Sequence, residues 1–372
     1  FKELRKILEE KGHLFKSVSD SEVILHLYEE YGVECTKYLE GMFAFSIFDL
    51  NKKTLYLARD RVGEKPLYYI KNSNGFYFSS EIKSFYKLNF FNKKISTEGI
   101  YAYFNNIQIP APQTIFDDVK KLRPAHWLLL DMHGNEKEKP YWHVNCTYKT
   151  KLSLEDAKIE LDTLLLDSVK KVLVSDAPTG LLLSGGVDSA LLLALATKIG
   201  RNNLATFTVG NDSKASEDAE YKRAKKIANQ FNSENYVYYF GNATFNNVIE
   251  AAKICDEPIG ILEIFYVFNI FKHIKNHSKV VLTGNGADEI FGGYVSYNYL
   301  KNFSKYATLF GYLFQHLNPL LTATAASTHN AKNWRILKIL FSDQLKKNKP
   351  NGLERKLLTE SMKIVTYDNV LD

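Results

Sequence analysis

The chain has 372 residues, 45% of them apolar and 24% charged, with a formal net charge of +6. This is the composition of a folded globular protein with material for about two domains, and it excludes disordered, collagen-like and disulfide-scaffold chains. Lysines and arginines are scattered rather than gathered into a basic block, which argues against nucleic acid as a partner.

The three cysteines, Cys35, Cys146 and Cys255, lie far apart without metal-ligand spacing, and an odd number builds no disulfide framework. A reducing, cytoplasmic compartment is expected. Neither a signal-peptide pattern nor an uninterrupted run of about 18 apolar residues is present, so no membrane partner is expected. The nearest run, 309–326, is broken by Gln315, His316, Asn318 and Pro319 and reads as packed helices. The chain opens at Phe1 inside a helical pattern (FKELRKILEEKGH) and stops at Asp372 without a closing element, so a fragment at both ends is expected.

In chain order, SEVILHLYEEY (21–31) has apolar residues at helical spacing, with Ser19 as its cap. FAFSIFDL (43–50), TLYLARD (54–60), LYYI (67–70) and FYFSS (76–80) are short aromatic and β-branched runs. Turn-forming Asn51-Lys52-Lys53 and Asn72-Ser73-Asn74-Gly75 separate members of this set, which predicts an α+β domain with antiparallel strands over 1–140. The polar stretch 137–150 is the expected linker, followed by a helix over 154–174. Beyond it, strands at 179–183, 204–209, 235–240 and 279–283 alternate with helices at 188–199 and 217–231, and the chain looks helical from 288 onward. Such alternation predicts an α/β domain over 141–372 built on a doubly wound parallel sheet.

The most informative stretch is LLLSGGVDSALLLALA (181–196), an apolar strand that breaks at two glycines before a helix. Gly185 and Gly186 allow a tight turn and close approach of a ligand. The free N–H groups of the turn and of the next helix form an anion cradle, to which Ser184 and Ser189 add hydroxyls. Asp188 would repel a phosphate unless a divalent cation lay between them. The helix is apolar nearly all round and is expected to be buried. VVLTGNGADEIFGGY (280–294) repeats the theme, with Asp288 and Glu289 just beyond a glycine-rich turn. Both turns would open at the carboxyl ends of strands, where ligands bind in such sheets. Asp188 and Asp288 would then share Mg²⁺ on a triphosphate, while an N-cap role is the alternative for Asp288.

SGGVDS followed by TGNGADEIFGGY resembles the glutamine-dependent asparagine synthetases, in which a PP-loop ATP pyrophosphatase domain, adenine nucleotide hydrolase-like in fold, follows a class II glutamine amidotransferase domain. SDSEVILHLYEEYG (19–32), LEGMFAFSIFD (39–49), ARDRVGEKPLYY (58–69) and SSEIKS (79–84) resemble the amidotransferase half. IPAPQTIFDDVKKLRPAH (109–126) resembles the interdomain stretch. The resemblance implies glutamine hydrolysis in the first domain, passage of ammonia through a tunnel, and ATP-dependent adenylation of a carboxylate, aspartate first among candidates. It implies ATP and Mg²⁺ as cofactors and a homodimer among the assemblies to expect. By the same resemblance Ser184, Gly185, Gly186, Asp188, Ser189 and Thr283 hold pyrophosphate or ATP. Leu183, Val209 and Gly284 line the adenosine pocket, Asp188 and Asp288 ligate the metal, and Asp20 holds the amino group of glutamine, with an N-cap as its alternative role. Arg59 and Asp60 are expected to form a structural ion pair.

Several positions depart from the family pattern. The amino-terminal Cys nucleophile of class II enzymes, whose own amine acts as base, is not in this chain, so glutaminase activity is not expected of the chain as it stands. Cys35 reads as a packing residue. MKIVTYDNVLD (362–372) resembles the start of a longer continuation. Asn285 stands where the family often has Glu, and a neutral amide cannot act as base at that catalytic position. DEPIGILEIFYVF (256–268) keeps Asp256-Glu257-Pro258 but turns apolar at Ile261 and Leu262, with Glu263 the polar group there. A relative amidating another carboxylate, such as a surface-glycan precursor, and a non-catalytic paralogue are the alternatives. A tRNA-modifying PP-loop enzyme fits poorly, for want of a basic stripe.

Overall fold

A computed structural model of the chain describes residues 1–295 and 297, apart from 146, 148–149, 175–176, 212–218, 241–244 and 261–262. The expectations for Cys146, Ile261, Leu262, 309–326 and 362–372 lie outside the described residues, as does most of the helical stretch after 288. The chain forms two compact units, Phe1–Asn285 and Gly286–Asp372.

The first unit opens with α1 (Lys2–Glu10) and α2 (Asp20–Tyr31). Ser19 caps α2, its hydroxyl accepting the Ser21 N–H, and Asp20 and Glu22 complement the positive end of the helix. Leu8 of α1 and Val23 and Leu27 of α2 are buried against β1 (Ala44–Asp49) and β2 (Thr54–Arg59), in a cluster with Cys35, Tyr56 and Trp127. β3 (Tyr68–Asn72) and β4 (Gly75–Ser79) form the next antiparallel hairpin. α3 (Thr97–Asn106) is capped by Ser96, and β5 (Lys120–Lys121), β6 (His126–Asp131) and β7 (Glu136–Pro140) complete this half. The strands make two antiparallel sheets, ordered β1-β2-β6-β7 and β4-β3-β5.

β7 corrects the expected linker. Residues 136–140 (EKEKP) pair with β6 from Leu130↔Glu136 to His126↔Pro140. Polar residues on both faces hide the strand's period of two, and an edge strand can stay polar because only one of its sides is paired. The Arg59–Asp60 expectation also changes. Arg59 donates to the carbonyls of Gly63, Lys65 and Leu122 at 2.7–2.8 Å. Buried Asp60 accepts the N–H groups of Val62, Glu64 and Lys65. Both side chains hold the loop that follows β2, Arg59 through its carbonyls and Asp60 through its N–H groups, and Arg59 also reaches Leu122.

α4 (Leu154–Val172) leads into the second half: β8 (Thr179–Leu182), α5 (Val187–Lys198), β9 (Ala205–Asn211), α6 (Ala219–Gln230), β10 (Asn235–Phe240), α7 (Phe245–Ile254), α8 (Glu263–Ile274) and β11 (Val280–Leu282). The sheet is parallel, in the order β10-β9-β8-β11. The order therefore reverses at β8, whose neighbours are the strands that follow it first and last. α5 is not buried all round: Leu193, Leu195 and Ala196 sit in the core while Leu191 is 42% exposed. One helical stripe suffices to cover a sheet, whatever the apolarity of the opposite face. In the second unit α9 (Ala287–Phe291) is the helix described. Among the described residues no helix is long and apolar enough to cross a membrane.

Charged groups on the 256–257 segment clamp the two halves of the first unit. The Asp256 carboxylate accepts the N–H of Ile82 at 2.7 Å, and Glu257 accepts the N–H of Ile115 at 3.1 Å. Lys121 Nζ lies 2.6 Å from Glu257 Oε2, with the two side chains only 13% and 12% exposed, and also donates to the Ile109 carbonyl at 2.5 Å. Burial pushes the Glu257 carboxyl above its ordinary range, against the pull of Lys121. Replacing Lys121 with Met strands a buried carboxylate and should cost about 3–5 kcal/mol in urea unfolding, while the Lys121→Met/Glu257→Gln double variant should recover most of the loss.

Candidate active site

β8 ends in the core. Leu183 is 1% exposed, its N–H donates to the Phe207 carbonyl at 2.8 Å, and its own carbonyl accepts from Thr208 Oγ1 at 2.8 Å. Its side chain is buried in the hydrophobic core beneath the turn. Val209, at the carboxyl end of β9, is 39% exposed and offers an apolar surface beside the turn.

The turn itself is dictated by close approach. Gly185 has φ +79°, and a Cβ there would lie 2.6 Å from the Glu220 carbonyl oxygen and 3.0 Å from the Ala224 nitrogen, both on α6. Gly186 is the N-cap residue of α5 and offers no capping side chain, which leaves the first-turn amides of α5 without that partner. Ser189 is buried, and its hydroxyl is committed to the loop: it donates to the Gly186 carbonyl and accepts the Ser184 N–H. The exposed Ser184 hydroxyl lies 3.1 Å from Ser189 Oγ and accepts the Gly186 N–H. Of the two serines expected to donate outward, one shapes the loop and one faces solvent.

β11 pairs with β8 from Val280↔Thr179 to Leu282↔Leu181, so the second glycine-rich turn leaves the sheet beside the first. A Cβ on Gly284 would lie 3.0 Å from Asp188 Cβ and 3.2 Å from the Ser189 nitrogen. This contact brings Thr283 and Gly284 onto the start of α5. Asn285 follows, exposed, its N–H directed at Thr283 Oγ1 at 3.4 Å. Asp188 is half-buried, and no hydrogen bond or ion pair engages its carboxylate among the described residues. In the second unit, Asp288 lies in the first turn of α9 and Gly286 is the N-cap, so Asp288 is not the cap of that helix.

Sequence reasoning missed Arg223. Its Nε donates to the Gly185 carbonyl at 3.4 Å, which sets a guanidinium beside the turn. The residue sits in an ordinary polar helix (AEYKRAKK), and only the crossing of α6 over the loop marks it.

In the first half, Asp20 is the first residue of α2, with Ser19 in the capping role. The Ser19 and Ser21 hydroxyls lie 3.4 Å from Asp20 Oδ1, and the carboxylate is exposed. Cys35 is fully buried, and burial pushes its thiol up to about 11, as suits a packing residue. The segment Asp256–Pro258 clamps the two halves and also lines a cavity of about 570 Å³ between them, together with Tyr103, Ala251 and Cys255.

Residues 1–142 match the glutamine amidotransferase domain family, and residues 160–364 match the asparagine synthase family. The chain is 35% identical to asparagine synthetase [glutamine-hydrolyzing] 1 of Bacillus subtilis over 299 residues, 79% of this chain and 46% of that protein. It is 32% identical to asparagine synthetase [glutamine-hydrolyzing] 3 of the same organism over 310 residues, 78% of this chain and 50% of that protein. It is 31% identical to the amidase chyE of Penicillium rubens over 301 residues, 75% of this chain and 44% of that protein. The chain thus spans about half the length of the curated relatives it matches. With the asparagine synthase match extending over more than half of its residues, the chain belongs to the asparagine synthase family.

Proposed function

We propose that the chain belongs to an ATP-dependent amide ligase of the glutamine-hydrolysing asparagine synthase type. The observation that carries this reading is the glycine-rich turn 184–189 at the strand-order reversal, with Gly284 seated against Asp188. Ligands of doubly wound sheets bind at such a reversal, outside the carboxyl ends of the strands.

The chemistry follows from the need for a leaving group. A carboxylate oxygen attacks the α-phosphorus of ATP, forming an acyl-adenylate and releasing pyrophosphate. Ammonia then adds to the acyl carbon, AMP departs, and one proton is lost as the amide forms. The amides of Gly186 and the first turn of α5 oppose the negative charge of the departing pyrophosphate, with the Ser184 hydroxyl and the Arg223 guanidinium alongside. Val209 contacts adenosine. Asp188 suits Mg²⁺: it is a hard oxygen donor beside an anion cradle, with its carboxylate unengaged by the described residues. Bound there, Mg²⁺ would neutralise phosphate charge. Asp288 is assigned as a second ligand on its sequence motif alone. Asp20 receives the amino group of glutamine, the ammonia source. Free thiols at Cys35 and Cys255 suit a reducing cytoplasm.

Aspartate is the first acceptor to test. A second reading, in which another carboxylate is amidated, rests on the departures from the family pattern at Asn285 and over 256–268.

Two measurements check these assignments. Aspartate should drive exchange of labelled pyrophosphate into ATP, and Asp188→Ala should lower the rate by about 100-fold or more, the equivalent of several kcal/mol of lost charge stabilisation. Exchange with other carboxylates but not aspartate would establish the second reading, and no exchange with any carboxylate would sink both. Gly185→Ala adds a Cβ at positive φ against the α6 backbone. It should weaken ATP binding at least about tenfold in calorimetry, since left-handed backbone alone costs an L-residue about 1–2 kcal/mol. ATP affinity equal to that of the unaltered chain would remove the turn from the site.

A further inference from the structure

A cluster of imidazole and carboxylate groups lies far from the nucleotide turn in sequence and takes no part in the proposed chemistry. His13 follows α1, whereas His26, Glu29, Glu30 and Glu22 share one face of α2 at i+3, i+4 and i−4 spacing. His13 Nδ1 lies 3.2 Å from His26 Nδ1, His26 Nδ1 lies 2.7 Å from Glu29 Oε2, and His13 Nδ1 lies 3.6 Å from the same oxygen. These atoms converge within 4.8 Å of one another.

We propose that His13, His26 and Glu29 bind a divalent transition-metal ion, Zn²⁺ being the best match, through the two Nδ1 atoms and Oε2. Metal–ligand distances of about 2.0–2.2 Å set neighbouring tetrahedral ligands about 3.3–3.5 Å apart, and the observed separations bracket that spacing. Imidazole with carboxylate is a donor set for such ions rather than for Mg²⁺ or Ca²⁺.

The surrounding carboxylates strengthen the assignment. His13 Nε2 lies 3.2 Å from Glu30 Oε2, so an N–H donated there turns the Nδ1 lone pair toward the ion. Lys11 holds the other Glu30 oxygen at 2.6 Å. His26 Nε2 is buried without a hydrogen-bond partner, and its nearest carboxylate is Glu22 Oε1 at 3.8 Å. Glu22 is itself pinned by the N–H groups of Lys16 and Ser17 at 2.7 Å. Metal-bound histidines characteristically give their second N–H to a carboxylate, and His13 has Glu30 in that place. Phe15 packs edge-on against His26 with centroids 4.5 Å apart and restrains the ring. The ion would tie the segment after α1 to α2. Exposed Glu29 leaves the fourth position open to water.

The test uses the untagged full chain, stripped with chelator and then titrated with Zn²⁺ in excess Mg²⁺. One Zn²⁺ per chain is expected, with a Tm that rises with Zn²⁺ concentration, and Co²⁺ should give visible absorption of tetrahedral type. His13→Ala/His26→Ala should abolish all three signals while the metal-free far-UV CD stays unchanged. Glu30→Gln, which leaves every ligand in place, should weaken Zn²⁺ by about 10–100-fold. Substoichiometric Zn²⁺, or equal affinity in the double histidine variant, would overturn the site. Should that double variant not fold, undiminished affinity in Glu30→Gln would do so as well.

Discussion

A close approach of backbones at the end of one short strand shapes the glycine-rich turn. Gly185 meets the first turn of α6, where a Cβ has no room, and Gly284 meets the first turn of α5, where a Cβ would fit only tightly. β8 is flanked by β9 on one side and β11 on the other, and doubly wound sheets take their ligands at such a reversal of strand order. The Thr208 hydroxyl and the Phe207 carbonyl hold Leu183 from below, which makes the floor of the turn rigid before any ligand arrives. An anion site built this way uses fixed dipoles and needs little reorganisation when charge develops.

The Asp256–Glu257 pair joins the halves of the first unit by a different principle. Each carboxylate accepts backbone N–H groups from the amidotransferase-like half, and Glu257 is further neutralised by Lys121 in a poorly solvated place. Such groups are costly to bury and are tolerated only when every lone pair is served. The same two residues line the cavity together with Tyr103 and Ala251.

The histidine pair shows how a second, local chemistry can sit inside an otherwise ordinary helical hairpin. α1 and α2 bury Leu8, Val23 and Leu27 on their inner sides, which leaves His26, Glu29 and Glu30 on another face. His13 reaches that face because the chain reverses just after α1, at Gly12 with φ +95°.

Much of the fold was legible in the residues. The aromatic and β-branched runs of 43–80 between turn residues, the helical spacing of α2, and the strand–helix alternation after 179 follow from local sterics and burial, which sequence records directly. SGGVDS and TGNGAD announced turns at strand ends because glycine is required where a Cβ cannot fit. The polar edge strand β7 escaped detection, since an edge can be polar on both faces. Arg223 and the His13–His26 cluster were invisible because their partners lie 38 and 13 residues away, and no periodicity encodes such a meeting. The sequence by itself determined the strongly patterned helices and strands, the glycine-rich turns and the family they compose. Only the tertiary structure decided which side chains face a ligand, which support it and which distant groups converge, because these depend on the paths of separate elements through space.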